Sequence, residues 1–320
     1  MAKKSNNYTF HKDFYIIAFS RDASLPIMLF LFVLFMYLVS ALGNMLITVL
    51  VCLSPRLHTP MYFFLCNLSL QDIVYISSIL PKLLAITITG DTSISFPGCL
   101  TQIFMFICCL NTEFFLLTSM AYDRYLAICK PLHYSLIMNN RLCSLINISC
   151  WIVGALNGLM YSFLTSKLSF CKSQEINHFF CEVKKLLNIS CNDTTYIISI
   201  IFIEALCIGV LPFVFILISY IFIISTVLKI HTVAGRLKTF SSCFSHLVIV
   251  LLLYGTTLGF YMKTDNENTE KQDKFISLLY IAVVPMLNPL VYSLRNREVL
   301  KAVKNILTKP LGIDKYIGCQ

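Results

Sequence analysis

Seven long apolar runs decide what this chain can fold into. They cover about residues 25–52, 61–80, 98–129, 143–164, 196–228, 240–262 and 275–294. Each is close to or longer than the ~20 residues a helix needs to cross ~30 Å of hydrocarbon. Lipid offers no water to an N–H or C=O, so each run must close its hydrogen bonds within itself, as a helix. Continuous runs, rather than ~10-residue alternating stretches, exclude a transmembrane barrel. Composition agrees: 57% of the 320 residues are hydrophobic and 13% are charged, against roughly 45–50% and 25% in soluble domains. That excludes a soluble enzyme, a disordered chain and a nucleic-acid-binding domain. The net charge of +9 is no phosphate-binding patch, because the 25 Lys and Arg sit in short segments between apolar runs. The expected fold is an all-α membrane protein, a seven-helix bundle.

The chain divides into a polar tail (1–24), the helical domain (25–294) and a C-terminal segment (295–320). The first run is too long for a signal-peptide core and no small-residue cleavage site follows it, so it reads as an uncleaved anchor. In the C-terminal segment Val299, Leu300, Val303, Ile306 and Leu307 share one helical face with Lys and Arg opposite. This predicts a short amphipathic helix on the membrane surface, ended by Pro310 and Gly312. Lys and Arg split almost evenly between the two sides, so their count barely orients the bundle. Chemistry orients it better. The acceptor patterns at Asn7, Asn188 and Asn192 and the cysteines Cys99, Cys171, Cys181 and Cys191 all fall on the N-terminal side. Glycosylation and disulfides both belong to an oxidising exterior. The expectation is an N-terminus outside the cell and a C-terminus in the cytoplasm.

Polar groups within the spans are the informative ones, because a charge at bilayer depth costs several kcal/mol unless it faces the bundle interior and finds partners. Asp72, Glu113 and Asn44 form the expected polar hub, with Asn288 in the seventh span. Two carboxylates there could share a proton or a sodium ion. No metal site and no other cofactor is expected; His178, Cys181 and Glu182 have a metal-like spacing, but Cys181 is better read as oxidised. Asp123 and Arg124, followed by Tyr125, sit at the inner end of the third span, where a snorkelling Arg can pair with its neighbour. Such a pair is an ordinary interfacial ion pair or a latch. Pro212, Pro285 and Pro289 are expected to interrupt the fifth and seventh helices. Gly154/Gly158 and Gly255/Gly259 are GxxxG patterns, read as close packing within the bundle. Cys66, Cys108, Cys109, Cys150 and Cys207 read as small packing hydrophobes.

Several strings then match one family. They are Pro60-Met61-Tyr62-Phe63-Phe64-Leu65 leading to Asp72; Met120-Ala121-Tyr122-Asp123-Arg124-Tyr125-Leu126-Ala127-Ile128-Cys129; Ser219-Tyr220; Lys238-Thr239-Phe240-Ser241-Ser242-Cys243-Phe244-Ser245-His246; and Pro285-Met286-Leu287-Asn288-Pro289-Leu290-Val291-Tyr292. With Gly43-Asn44, over about residues 43–305, the chain resembles the odorant receptors, a branch of the rhodopsin-like G-protein-coupled receptors. The stretch Ile94–Gln102 is most similar to the terrestrial (class II) branch.

The resemblance implies a receptor rather than an enzyme. A small odorant would enter an outer pocket between the third, fifth, sixth and seventh helices and favour the active arrangement. It places Phe106, Ile107, Leu110 and Asn111 in that pocket, with Ile208, Tyr254, Leu258, Tyr261, Leu278 and Ile281. Glu204 either pairs with Tyr or Asn across the bundle or awaits a polar or cationic ligand group. At the inner face Arg124 would leave Asp123 and meet Tyr220 and a stimulatory, cyclase-activating heterotrimeric G protein. Lys238, His246, Asn288, Pro289 and Tyr292 would take part. The resemblance also selects the pairings Cys99–Cys181 and Cys171–Cys191, which spacing alone leaves open among three. The partners implied are an odorant, a G protein and membrane lipid, with no nucleic acid, at the plasma membrane. A secondary transporter would need an internal repeat and Gly-rich broken helices, which are missing. An intramembrane hydrolase would need a nucleophile–base or HExxH pattern, also missing. A non-olfactory receptor of the same fold remains the alternative, disfavoured by the strings above.

Overall fold

The helices begin and end where local chemistry dictates. Pro60 opens the second helix at N1, where its missing N–H costs nothing. Ser95 caps the third helix by accepting from the Gly98 N–H (3.2 Å), and Asn139 caps the fourth span from the Leu142 N–H (2.9 Å). Gly90, at φ 69°, ends the second helix in the left-handed region that only glycine enters freely.

The computed structural model describes residues 13–19, 25–171, 173–261, 270–294 and 297–308. The helices are α1 (Leu25–Leu53), α2 (Pro60–Thr89), α3 (Phe96–Cys129), α4 (Pro131–Ile137), α5 (Asn140–Ser166), α6 (Val183–Ile189), α7 (Thr195–Glu204), α8 (Leu211–Leu228), α9 (Val233–Tyr261), α10 (Glu270–Leu278), α11 (Val284–Leu294) and α12 (Arg297–Thr308). The seven spans are α1, α2, α3, α5, α7 with α8, α9, and α10 with α11. Six of these stretches are long and apolar enough to cross a membrane, and the sixth span contributes the shorter apolar stretch Cys243–Thr257. The third span is the axis of the bundle: 72% of its most apolar window is buried, against 22% for the first and fourth spans. The unburied faces remain oily, as Ile27, Met28, Leu31 and Phe35 of α1 show. An apolar outer face is what lipid, not water, tolerates.

Three expectations change here. The second span runs to Thr89, past the predicted end near residue 80, with Pro81 inside the helix. The sixth begins at Val233 rather than near 240. The prolines do not break their helices. The backbone widens into π turns at Ala205–Val210 and Leu279–Val283, just before Pro212 and Pro285. A proline ring clashes with the carbonyl four residues back, at 208 and 281 here. Both positions lie within the π turns, so the wider ladder absorbs the conflict. Pro289 lies within α11 and packs on α1, where a Cβ at Gly43 would come within 2.8 Å of its ring.

The glycine pairs differ from each other. A Cβ at Gly154 would lie 2.6 Å from the Cys108 carbonyl, and one at Gly158 2.7 Å from that of Phe104. These two let α5 press on α3. Among the described residues nothing lies within 4 Å of a Cβ placed on Gly255 or Gly259, so no close packing is seen there.

One end of the bundle carries a cap that helix periodicity does not reveal. Strand β1 (Asp13–Ile16), inside the predicted polar tail, pairs antiparallel with β2 (Ser93–Ser95) and parallel with β3 (Glu175–Ile176). Asp13 faces Ser95, and Ile16 faces Ile176. Phe14 and Ile16 are buried while Asp13 and Tyr15 are exposed, the alternation of a half-buried strand. The described part of the amphipathic helix is α12, with Val299 and Ala302 buried against the bundle.

Candidate functional site

Two disulfides fasten the capped end. Cys99 at the top of α3 bonds to Cys181 (Cα–Cα 5.5 Å), and Cys171 bonds to Cys191 (Cα–Cα 6.0 Å). The Cys181 N–H also donates to Gln102 Oε1 (2.8 Å). From Cys181 the chain passes through Glu182 into α6, which lies over the ends of the spans as a lid. Lys274 Nζ of α10 donates to the Ile17 carbonyl (2.8 Å) and to Asn177 Oδ1 (2.6 Å). Lys185 pairs with Asp273 at 3.4 Å. The N-terminal segment, the lid and the seventh span are thus stitched together.

His178 is fully buried behind the lid, stacked on Phe179 and 4.0 Å from Glu182. Burial, with the Lys185 and Lys274 ammonium groups, holds its imidazole well below the usual histidine range. Among the described residues no cluster of three metal-binding side chains exists, and Cys181 is oxidised.

Beneath the lid lies a cavity of about 290 Å³ between the third, fourth, fifth and sixth spans. Of the residues expected in a ligand pocket, Phe106, Ile107, Leu110, Asn111, Glu204, Ile208 and Tyr254 line it. Leu278 and Ile281 do not: both are buried in the core around the seventh span. The side chains of Leu258 and Tyr261 lie outside the described residues. Sequence reasoning missed Phe114, Tyr161, Phe213 and Thr257, which also line the cavity, as do Val183 and Lys184 of the lid. Tyr254 is wedged between Phe114 (5.0 Å between ring centres) and Phe213 (4.6 Å), and Phe106 meets Phe180 at 5.0 Å. The wall is apolar and aromatic with a few polar groups, the usual make-up of a small-molecule site.

Glu204 is the exception in that wall. Its Oε1 accepts from Asn111 Nδ2 at 3.0 Å and from Asn157 Nδ2, and the Tyr161 hydroxyl also acts on the carboxyl group. The third, fourth and fifth spans therefore meet at one carboxylate. Asn157 and Tyr161 are four residues apart, on one face of α5, which is the signal that could have found them.

The expected polar hub is half assembled. Asn44 Nδ2 donates to the Pro285 carbonyl (2.9 Å), and Asn288 Nδ2 donates to Asp72 Oδ2 (2.7 Å). These bonds tie the first, second and seventh spans together. Glu113 is fully buried, and among the described residues neither of its oxygens has a hydrogen-bond partner; Asp72 Oδ1 also has none among them.

At the end opposite the cap, Arg124 Nε lies 3.9 Å from Asp123 Oδ2. Asp123 Oδ1 accepts a stronger bond from the Tyr134 hydroxyl of α4 (2.7 Å). Tyr125 packs against Phe222 of α8. His246 departs from expectation. It is not at the surface of this end but 1% exposed within the bundle, where Nδ1 bonds the Tyr220 hydroxyl (2.8 Å) and Nε2 lies 2.9 Å from the Leu117 carbonyl. Its ring joins the third, fifth and sixth spans through its two nitrogens. Tyr220 also donates to the Cys243 carbonyl (3.1 Å). Tyr292 is buried nearby. The Lys238 side chain and Asn7 lie outside the described residues. Asn188 and Asn192 are exposed at the capped end. Of the cysteines read as packing groups, Cys108, Cys109 and Cys150 are buried, Cys66 is half-buried, and Cys207 is exposed on the π turn.

A family model described as olfactory receptor matches residues 33–310. Human olfactory receptor 13D1 is 43% identical over 98% of this chain and 90% of its own length. Human olfactory receptor 2T27 is 40% identical over 98% of both chains. Olfactory receptor 5AR1 of mouse is 42% identical over 95% of this chain and 98% of its own length. With these matches and its apolar spans, the protein is a multi-pass membrane protein of a receptor class rather than an enzyme. The chain belongs to the olfactory receptor family.

Proposed function

We propose that the chain is an odorant receptor: a small, mostly apolar odorant binds in the cavity beneath the lid and activates a stimulatory, cyclase-raising G protein at the opposite end. The capped end faces outside the cell, the C-terminal end lies in the cytoplasm, and the protein works at the plasma membrane. One observation carries the reading: a lidded, aromatic-walled cavity of about 290 Å³ lies where the odorant-binding residues were expected. A volatile ligand offers surface to bury and one or two polar atoms, and this wall answers both.

Activation is a shift of population, not a reaction. The ligand contacts the third, fifth and sixth spans together, so it favours the arrangement in which those contacts are best. The bonds that must rearrange at the other end are the Tyr220–His246–Leu117 chain and the long Arg124–Asp123 pair. Arg124 is then free to meet the G protein, with Lys238 and α4 beside it. Asp72 and Glu113 hold a sodium ion or a shared proton in the resting arrangement, and Asn288, Pro289 and Tyr292 carry the change through the seventh span.

Cells expressing the chain with a cAMP reporter, screened with a diverse odorant panel, test this reading. Wild type should respond to some members, and Arg124→Ala should reach the surface and stay silent. Accumulation of a solute by the cells, with no reporter response to any odorant, would instead favour a transporter.

A further inference from the structure

We propose that this receptor is tuned to amines, whose ammonium group is received by Glu204. The inference rests on the cavity being the odorant site and goes further, to the chemical class of the ligand. Glu204 lines the cavity from the fifth span, at the start of the π turn. The groups acting on its carboxyl are the Asn111 and Asn157 amides and the Tyr161 hydroxyl. All three are neutral donors, and no cation is among them. They orient the carboxylate and offset part of its desolvation but do not neutralise it. A carboxylate at this depth is costly until a positive partner arrives.

The rest of the wall leaves that position to the ligand. Phe106, Leu110, Phe114, Ile208, Phe213 and Tyr254 supply apolar and aromatic surface, suited to an alkyl or aryl body and favourable to a nearby cation through ring faces. The lid brings one charge of each sign, Glu182 and Lys184. Among the described residues the lip is therefore electrically balanced, and the unbalanced charge of the wall is that of Glu204. The cavity volume sets a small ligand: a short primary or secondary amine with one apolar group. Acids are excluded by like charge, and neutral odorants forgo a charge-assisted hydrogen bond.

The test compares isopentylamine with isopentanol and isovaleraldehyde, which share a carbon skeleton and differ in the polar group. On wild-type receptor the amine should act at a concentration roughly tenfold or more below the alcohol, the size of one charge-assisted hydrogen bond. Glu204→Gln should erase that preference, bringing the amine and the alcohol within about threefold of each other. Glu204→Asp should keep the preference at reduced sensitivity. Thermal stabilisation of the purified receptor by each ligand repeats the ranking without a G protein. A receptor stabilised by amines but silent in the reporter would sink the signalling reading and keep this one. An alcohol or aldehyde that matches or outranks the amine on wild type would overturn it. So would a Glu204→Gln receptor at normal surface level that keeps the amine preference. If that variant fails to reach the surface, the wild-type ranking alone decides.

Discussion

The two ends of the bundle are held in different ways. The capped end is stitched by two disulfides, a three-stranded sheet and the ammonium group of Lys274 clamped between a backbone carbonyl and an amide. The opposite end relies on single side-chain bonds: Tyr134 to Asp123, Tyr220 to His246, and an Arg124–Asp123 pair at 3.9 Å. Covalent links and bonds to ordered backbone fix one geometry. Isolated side-chain bonds net about 0.5–1.5 kcal/mol each and exchange for others at little cost. On the function proposed above, the ligand would meet a rigid cup, and the movement it causes would be released where the structure is loosest.

The most severe way to break this contrast is to cut the cup. Cys99→Ser should lower thermal stability by about 2–5 kcal/mol and empty the cell surface, read by flow cytometry. Arg124→Ala, at the loose end, should leave surface level near normal and remove signalling; equal surface loss in both would show that the ends are equally structural. Lys274→Met should come next, costing about 1.5–3 kcal/mol for the loss of hydrogen bonds to a charged group. It would be seen as a lower unfolding temperature of the purified receptor. Tyr220→Phe removes the hydroxyl's bonds to His246 and to the Cys243 carbonyl from the loose end and should raise ligand-free cAMP about fivefold, equivalent to ~1 kcal/mol, with surface level unchanged. A fall in basal signal would mean that these bonds belong to the active arrangement.

The smallest expected effect is one of pH. His178 has a folded-state pKa below its unfolded value. The unfolded lid takes up a proton as pH falls through the ordinary histidine range, while the folded lid resists it. Lid stability is complete at neutral pH and above, and declines on acidification below about 6.5. Hydrogen exchange in residues 176–189 should rise between pH 7.5 and 5 in wild type and flatten in His178→Phe.

The spans were legible because lipid imposes the same demand on every crossing segment, and Leu, Ile, Val and Phe answer it in long runs. The ends of those runs were less so. Pro81 reads as a stop, yet the helix continues around it, and the sixth helix begins in a polar stretch that hydropathy ignores. The cap was missed because β1 is four residues long and its pairing partners lie near residues 94 and 175, which no local pattern relates. In the cavity the residues of the third span fell in place, since an uninterrupted helix carries its phase from Arg124 to Phe106. Leu278 and Ile281 of the seventh span lie in the core instead; no helical spacing from a fixed point had located them. His246, which the resemblance put at the inner face, lies within the bundle instead, and only the fold shows the Tyr220 hydroxyl and the Leu117 carbonyl that hold it there.

The central claim is that occupation of the lidded cavity opens the far end. Fluorophores introduced as unnatural amino acids at Leu132 of α4 and Val233 at the start of α9, both exposed, report that end directly by energy transfer in the purified receptor. The account predicts that the pair moves apart when an agonist is added, and stays put when the agonist meets a cavity blocked by Leu110→Trp. An unchanged separation at a saturating, signalling dose of agonist would contradict it.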